Sequence, residues 1–581
     1  MSSLDHPYEI IAARKKAKQN ALIPPKWRIT VPHPVPLSVI SFPYRSHILT
    51  PLELEITSQH DATSLTAAIG SRTYTAHAVA LAFCKRAAIA HQLTNCLTEI
   101  FFDDALARAK FLDEEYARTG KTLGPLHGIP VSLKDTFKVR GYDTSIGIAS
   151  LAENPAQENS LLVDVLLQQG AVLYCKTNVP QTLMALDSDN NVFGRVLNPH
   201  NRLVTAGGST GGEGALVALR GSVLGVGTDI GGSIRIPAMC NGVYGVKPSR
   251  GRVPFAGQET GSRPGGAGIA LNASAGPIAA SLRDCELFLR TVAGARSWER
   301  DPEVVYGGWE EQGTARQETK LLVGVLWSDG VIQPLPPVKK VLEETVQMLR
   351  SEGIEVVELH APALKECPSL VDKFFTMGGA NYMFDLLEKT GEPLTEWLGP
   401  RLKRGKIIKM GGLVAIHAQK EALEAEMLKI WSDAEGRQID AFICPVAPHP
   451  VPPIDCWNGV GYTSSFVLLD YPAGTLPVRE FKEEDLHDEW TGDSEPLGSW
   501  DEYNRTLCKW PHLCLMLAIL RTFTNVIHKG DKNSIDRRVY LNTPLSIQVV
   551  APRLQERRLL QAMTIIDGVV NRRVDGPQAR L

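Results

Sequence analysis

The sequence predicts an α/β protein. Short apolar runs in "GIPVSLKD" (128–135), "GAVLYCKTN" (170–178) and "GVYGVKP" (242–248) read as buried strands, and helical or glycine-rich segments separate them. Farther on, "KLLVGVLW" (320–327) reads as a strand and "IEVVELH" (354–360) as another. Between them Val338, Val341, Leu342, Val346 and Leu349 share one face of a helix. Strand, helix, strand in that order is the pattern of a parallel sheet.

Residues 1–60 read as an arm, with a helical start and then the proline-rich stretch "PPKWRITVPHPVPLSVISFP" packed on a larger body. The basic run from Arg14 to Lys18 is short and reads as a solvated helix face. From Thr75 to Tyr116 the chain turns helical, with Val79, Phe83, Ala87 and Ala90 at helical spacing and a second helix through Ala105 to Leu112. There is no internal repeat and no linker long enough to divide residues 75–330, and residues 61–581 are expected to form a single domain whose motif-bearing core is 124–260. The acidic stretch "EFKEEDLHDEWTGDSEP" reads as a surface loop, and residues 507–540 as an insertion.

Composition narrows the function. With 61 Lys+Arg against 64 Asp+Glu and no long basic block, the chain has nothing with which to neutralise a phosphate backbone, and no nucleic-acid partner is expected. Ten cysteines without a Cys-x-x-Cys, and no His-Glu-x-x-His, point to reduced buried thiols and to neither a zinc site nor a disulfide scaffold. The N-terminus lacks a signal-like apolar core, and no run approaches the roughly 18 to 20 apolar residues of a membrane span. A cytoplasmic protein is expected, with one qualification: Ala579-Arg580-Leu581 resembles a peroxisomal address. Oligomeric state is not legible, and a homodimer stays open.

Two glycine clusters carry the chemistry. In "GGSTGG" (207–212) the last glycine is followed by Glu213 where a phosphate loop needs Lys-Ser or Lys-Thr. In "GVGTDIGGSIRIP" (225–237) the glycines miss the dinucleotide spacing. Glycines also let successive backbone N–H groups converge on one point. Ile230, Gly231, Gly232 and Ser233 could so hold a developing oxyanion beside the Ser233 hydroxyl, each donor being worth about 3 to 4 kcal/mol. A serine nucleophile needs a base. His127 and His200 sit in turn-like surroundings and read as structural, which leaves Lys134, at the end of a buried strand. A lysine serves as base only if burial lowers its pKa by roughly 3 units; the alternative is a lysine paired with Asp135 or Asp229.

Taken in order, "GPLHGIPVSLKD", "CKTNVPQ", "AGGSTGGEGALVA", "GVGTDIGGSIRIPA" and "CNGVYGVKPSRGRVP" resemble the amidase signature family of serine hydrolases, with weaker support from "YPAGTLPV" and "PLSIQVVAP". The resemblance is nearest to its fungal acetamidase and general amidase branch. It implies a central, mixed, mostly parallel sheet with helices on both faces, and cofactor-free hydrolysis of a small-molecule amide. It implies that Ser233 attacks the carbonyl, that Ser209, after a cis peptide at Gly208, relays the proton, and that neutral Lys134 takes it. Thr182 and Leu183 are expected to border the scissile group, and Asp229 with Arg235 to brace the loop. The family's second serine is replaced here by Thr210, retained as a structural hydroxyl. Phe374, Phe375, Met377, Tyr382, Met383 and Trp397 are either acyl-pocket lining or ordinary core. The alternatives are a fatty-amide, ester or carbamate hydrolase, the amidase subunit of a glutamine amidotransferase, and a catalytically silent binding protein.

Overall fold

The computed structural model describes residues 6–31, 34–263, 265–309, 321–488, 490, 495–507 and 536–572. Residues 508–535 of the expected insertion, and the C-terminal tripeptide, lie outside the described residues. Eleven strands form one sheet: β1 (Leu97–Ile100), β2 (Pro130–Lys134), β3 (Val172–Thr177), β4 (Leu224–Asp229), β5 (Tyr244–Lys247), β6 (Ser274–Ala279), β7 (Leu322–Val325), β8 (Glu355–Glu358), β9 (Ala441–Pro445), β10 (Ala473–Glu480) and β11 (Pro544–Val550). Their spatial order is β1-β3-β2-β4-β6-β5-β10-β11-β9-β7-β8.

The α/β class and the mixed sheet agree with expectation, but the sheet is not mostly parallel. Of the ten neighbouring pairs among the described residues, four are parallel (β2–β3, β2–β4, β7–β8 and β7–β9) and six are antiparallel. The parallel pairs flank the sheet as two blocks. The strands between them, β6, β5, β10 and β11, each run against their neighbours, and no helical crossover announces them in the sequence.

The alternation of side chains along a strand decides what faces the site. On β2, Val131 and Leu133 enter the main core; on β4, Leu224 and Val226 do the same. That core is completed by helices Leu161–Gln168, Leu282–Gly294, Pro336–Ser351 and Glu556–Val570, the third burying the five residues its spacing predicts. Ser132 and Lys134 therefore point to the other face, together with Gly225, Gly227 and Asp229. There the helices Ala76–Thr94, Phe102–Thr119 and Gly211–Ala218 contribute to a second cluster, and Cys367–Thr376 and Met410–Met427 to a third.

The arm is tied down by a residue read as solvated. Lys15, in the helix Pro7–Leu22, is buried and ion-paired with both Glu99 and Asp143, the latter at 2.7 Å. Its neighbour Gln19 donates to the carbonyl of Leu97 at 2.7 Å, so this helix closes the exposed edge of β1. Lys15→Ala should leave two buried carboxylates facing each other, at a cost of about 3 to 5 kcal/mol. Hydrogen exchange is expected to show residues 7–22 losing protection while β2 and β4 keep theirs. Unchanged protection of the helix would contradict this anchoring.

Candidate active site

Lys134 ends β2 with its side chain fully buried. Its Nζ lies 2.7 Å from Ser209 Oγ, 2.9 Å from Thr228 Oγ1 and 3.3 Å from the Thr228 carbonyl. Neither acid offered as a partner takes it. Asp135 pairs instead with Lys176 at 2.8 Å, and Asp229 with Arg235. Burial pushes the Lys134 amine down to about 7, against the opposing pull of Asp229 and Glu213. A neutral amine has two N–H donors and one lone pair. As an ammonium it donates to all three oxygens; in the neutral form, with both Thr228 oxygens taking its two N–H groups, the lone pair would be free to accept the Ser209 hydroxyl proton.

Ser209 follows a cis peptide bond at Gly208–Ser209. The turn that carries it is held on both sides by Ser188, whose hydroxyl donates to the Gly207 carbonyl at 2.9 Å and accepts the Gly211 N–H at 3.0 Å. Thr205 adds a third tie: its hydroxyl accepts the Gly207 N–H at 2.9 Å and donates to Asp187 at 2.8 Å. Thr210 then opens the helix Gly211–Ala218. Its hydroxyl reaches the Thr228 carbonyl only at 3.4 Å, and its methyl packs over Gly227, where a side chain would begin 2.8 Å away. A glycine on β4 thus makes room for threonine in place of serine. Ile234 crowds the same glycine at 3.1 Å, so the turns bearing Ser209 and Ser233 converge on one strand end.

The Ser233 turn is built around Asp229. Its carboxylate accepts the N–H of Gly232 at 2.7 Å and of Ile234 at 3.2 Å, and receives Arg235 through Nε and Nη2, both at 3.0 Å. Both partners are fully buried. Burial alone would push the carboxyl up; the Arg235 charge and these hydrogen bonds more than offset it and hold it below its ordinary range. The rest of the guanidinium donates to Gln548 at 2.7 Å and to the Thr463 carbonyl at 2.9 Å. One expected oxyanion donor is thereby corrected: the Gly232 N–H is already committed to Asp229. The N–H groups of Ile230, Gly231 and Ser233 have no acceptor among the described residues, and Ser233 is 5% exposed.

With both serine turns and the buried lysine converging on one strand end, likeness to known proteins decides the family. The family model described as Amidase matches residues 78–560. The chain belongs to the amidase family. Among curated relatives it is 36% identical to an acetamidase of Emericella nidulans over 572 residues, 95% of this chain and 96% of that one. An acetamidase of Aspergillus oryzae is 34% identical over 95% of this chain and 97% of its own. Among solved structures, a fatty acid amide hydrolase superposes with a TM-score of 0.84 at 28% identity, covering 97% of this chain and 95% of that one. The protein is an amidase, a hydrolase of carboxylic acid amides.

In this amidase the remaining predicted residues divide. Thr182 and Leu183 are consecutive non-glycine residues in the left-handed region, with φ of 67° and 64°, and the Thr182 hydroxyl is buried with no hydrogen-bond partner among the described residues. Of the six aromatic and methionine residues, Phe374 and Met377 join the core under Met410–Met427. Phe375 reaches the Ser233 turn, its ring edge 3.5 Å from where a side chain on Gly231 would start. Tyr382 packs against the cluster of Ile146, Ile148, Leu386 and Leu387, Met383 reaches Gly261, and Trp397 lies under Arg401. Among the described residues the His127 and His200 rings hydrogen-bond only backbone groups, the Leu123 N–H and the Asn241 carbonyl. Sequence reasoning missed Thr228, Ser188 and Thr463. Hydroxyl residues in turns are too common to single out, and only their three-dimensional partners distinguish these. Among the described residues no helix is long and apolar enough to cross a membrane.

Proposed function

We propose that this amidase works through an acyl-enzyme on Ser233, with Ser209 as proton relay and Lys134 as base. The observation that carries the reading is the Lys134–Ser209 contact of 2.7 Å by a buried lysine that forms no ion pair with a carboxylate among the described residues. Ser233 Oγ adds to the amide carbonyl carbon as its proton passes to Ser209 Oγ and the Ser209 proton passes to Lys134 Nζ. The N–H groups of Ile230, Gly231 and Ser233 receive the developing negative charge. The proton returns by the same route to the leaving nitrogen, and the C–N bond breaks to release ammonia or an amine. Water then adds to the ester, gives its proton to the relay and displaces Ser233, which recovers a proton as the carboxylic acid leaves.

Small aliphatic or aromatic primary amides are the proposed substrates. Both acetamidase relatives support that class. Incubation with a fluorophosphonate should add one adduct to the wild-type mass, mapped to Ser233 and absent from Ser233→Ala. The same variant should lose at least about 10⁴-fold in ammonia release from acetamide, hexanamide or benzamide. No adduct on folded wild-type enzyme, or one that persists in Ser233→Ala, overturns the assignment.

A further inference from the structure

Glu213 is an ionisable side chain close to the relay that the mechanism leaves without a role. It lies in the first turn of the helix that begins just after Ser209 and Thr210, and it is completely buried. Its Oε2 meets the Ser132 hydroxyl at 2.6 Å and its Oε1 the Thr177 hydroxyl at 3.1 Å. Ser132 in turn meets Ser222 at 2.8 Å. No Lys, Arg or His forms an ion pair with Glu213 among the described residues, although Lys134 follows Ser132 by two residues on the same face of β2. On β4, Gly225 has no room for a side chain because the Glu213 carboxyl occupies that space. Three strands and the helix after Ser209 therefore meet at this one carboxyl group.

A carboxylate buried without a cation is costly, whereas the acid form satisfies every partner here. Thr177 O–H donates to Oε1, the acid O–H donates to Ser132, and Ser132 O–H donates to Ser222. We propose that Glu213 is a positioning residue held as an uncharged carboxylic acid: it locks the Ser209 turn onto the strand of Lys134 without setting a negative charge beside that lysine. Charge matters because a carboxylate there would favour the ammonium form of Lys134, which cannot accept a proton. Burial pushes the Glu213 carboxyl up to about 8, outweighing Lys134 and the hydrogen bonds that Ser132 and Thr177 would donate to its charged form. The other titratable groups that face it are Tyr174, Cys175 and Cys96, each pushed upward by burial and so uncharged at neutral pH. The inference rests on Lys134 being the base.

The test compares Glu213→Gln with Glu213→Ala. Infrared difference spectra of wild type against Glu213→Gln should contain the carbonyl stretch of a protonated carboxylic acid at neutral pH; only carboxylate bands there would overturn the proposal. That readout does not depend on Lys134, so it fails independently of the catalytic reading. Glu213→Gln, neutral and of the same shape, should keep kcat within about threefold and keep the acidic limb of the kcat/KM–pH profile in place. A limb displaced downward by about one pH unit would show that wild-type Glu213 is charged, and would overturn the proposal. Glu213→Ala should lose about tenfold or more in kcat with little change in KM, since the residue touches no substrate. If Glu213→Ala does not fold, Ser132→Ala makes the same cut from the other side. Wild-type kcat in whichever of these variants folds contradicts the positioning role.

Discussion

Replacing Lys134 with methionine is expected to lower kcat/KM by ~10²- to 10⁴-fold at neutral pH while the protein stays folded, the range in which a positioned base contributes. The reason lies in what surrounds the amine. All three of its partners, Ser209 Oγ, Thr228 Oγ1 and the Thr228 carbonyl, are uncharged, so nothing in the pocket is left as an unpaired ion when the amine is removed. Stability should respond in the opposite direction to activity. The folded-state pKa of about 7 lies below the unfolded value of 10.5, so the penalty of burying this lysine is complete below pH 7 and is relieved as pH rises from about 7 toward 10.5. Relative to wild type, Lys134→Met should thus be most stabilising below pH 7 and least so in alkali. Thermal melting at several pH values reads this directly, and a variant that keeps wild-type kcat/KM would remove Lys134 from the mechanism.

The second large effect is expected at Asp229→Asn. The carboxylate holds two backbone N–H groups and both sides of a fork from Arg235. An amide offers one acceptor and turns an N–H₂ toward other donors, leaving the Arg235 charge buried with only Gln548 and a carbonyl. Breaking a buried pair in this way costs about 3 to 5 kcal/mol. Activity should fall by ~10²- to 10³-fold, because the Ile230–Ser233 backbone loses the anchor that aims its N–H groups. Replacing both partners together with apolar residues should recover much of the stability and none of the activity. Equal destabilisation by the single and double replacements would show that the pair does not brace the turn.

Much of this site is legible in the sequence because its geometry is dictated by strand ends and glycine turns. Lys134 closes an apolar run, Ser209 sits between glycine pairs, and Asp229 precedes the second turn by a fixed spacing. What the sequence conceals is occupancy. The Gly232 N–H reads as a free donor until Asp229 is seen to take it, and Glu213 reads as a negative charge until burial pushes it up to about 8. The fold shows the same division. The helix Pro336–Ser351 is announced by its apolar spacing, whereas β6, "SAGPIA", has a single β-branched residue, Ile278, among small residues and a proline, and only its pairing with β4 and β5 makes it a strand. Strand β1 is four residues between two helices and is likewise silent. Lys15 looks solvated within a basic run because its partners, Glu99 and Asp143, are 84 and 128 residues away.

The central claim is that a neutral, buried Lys134 activates Ser233 through Ser209. The pH dependence of the rate at which a fluorophosphonate acylates Ser233, in wild type and in Lys134→Met, tests it most directly. The wild-type rate should rise through a single ionisation near pH 7, where Lys134 loses its proton, and the variant should be slow and without that step. A variant labelled at the wild-type rate with the same ionisation would show that some other group is the base.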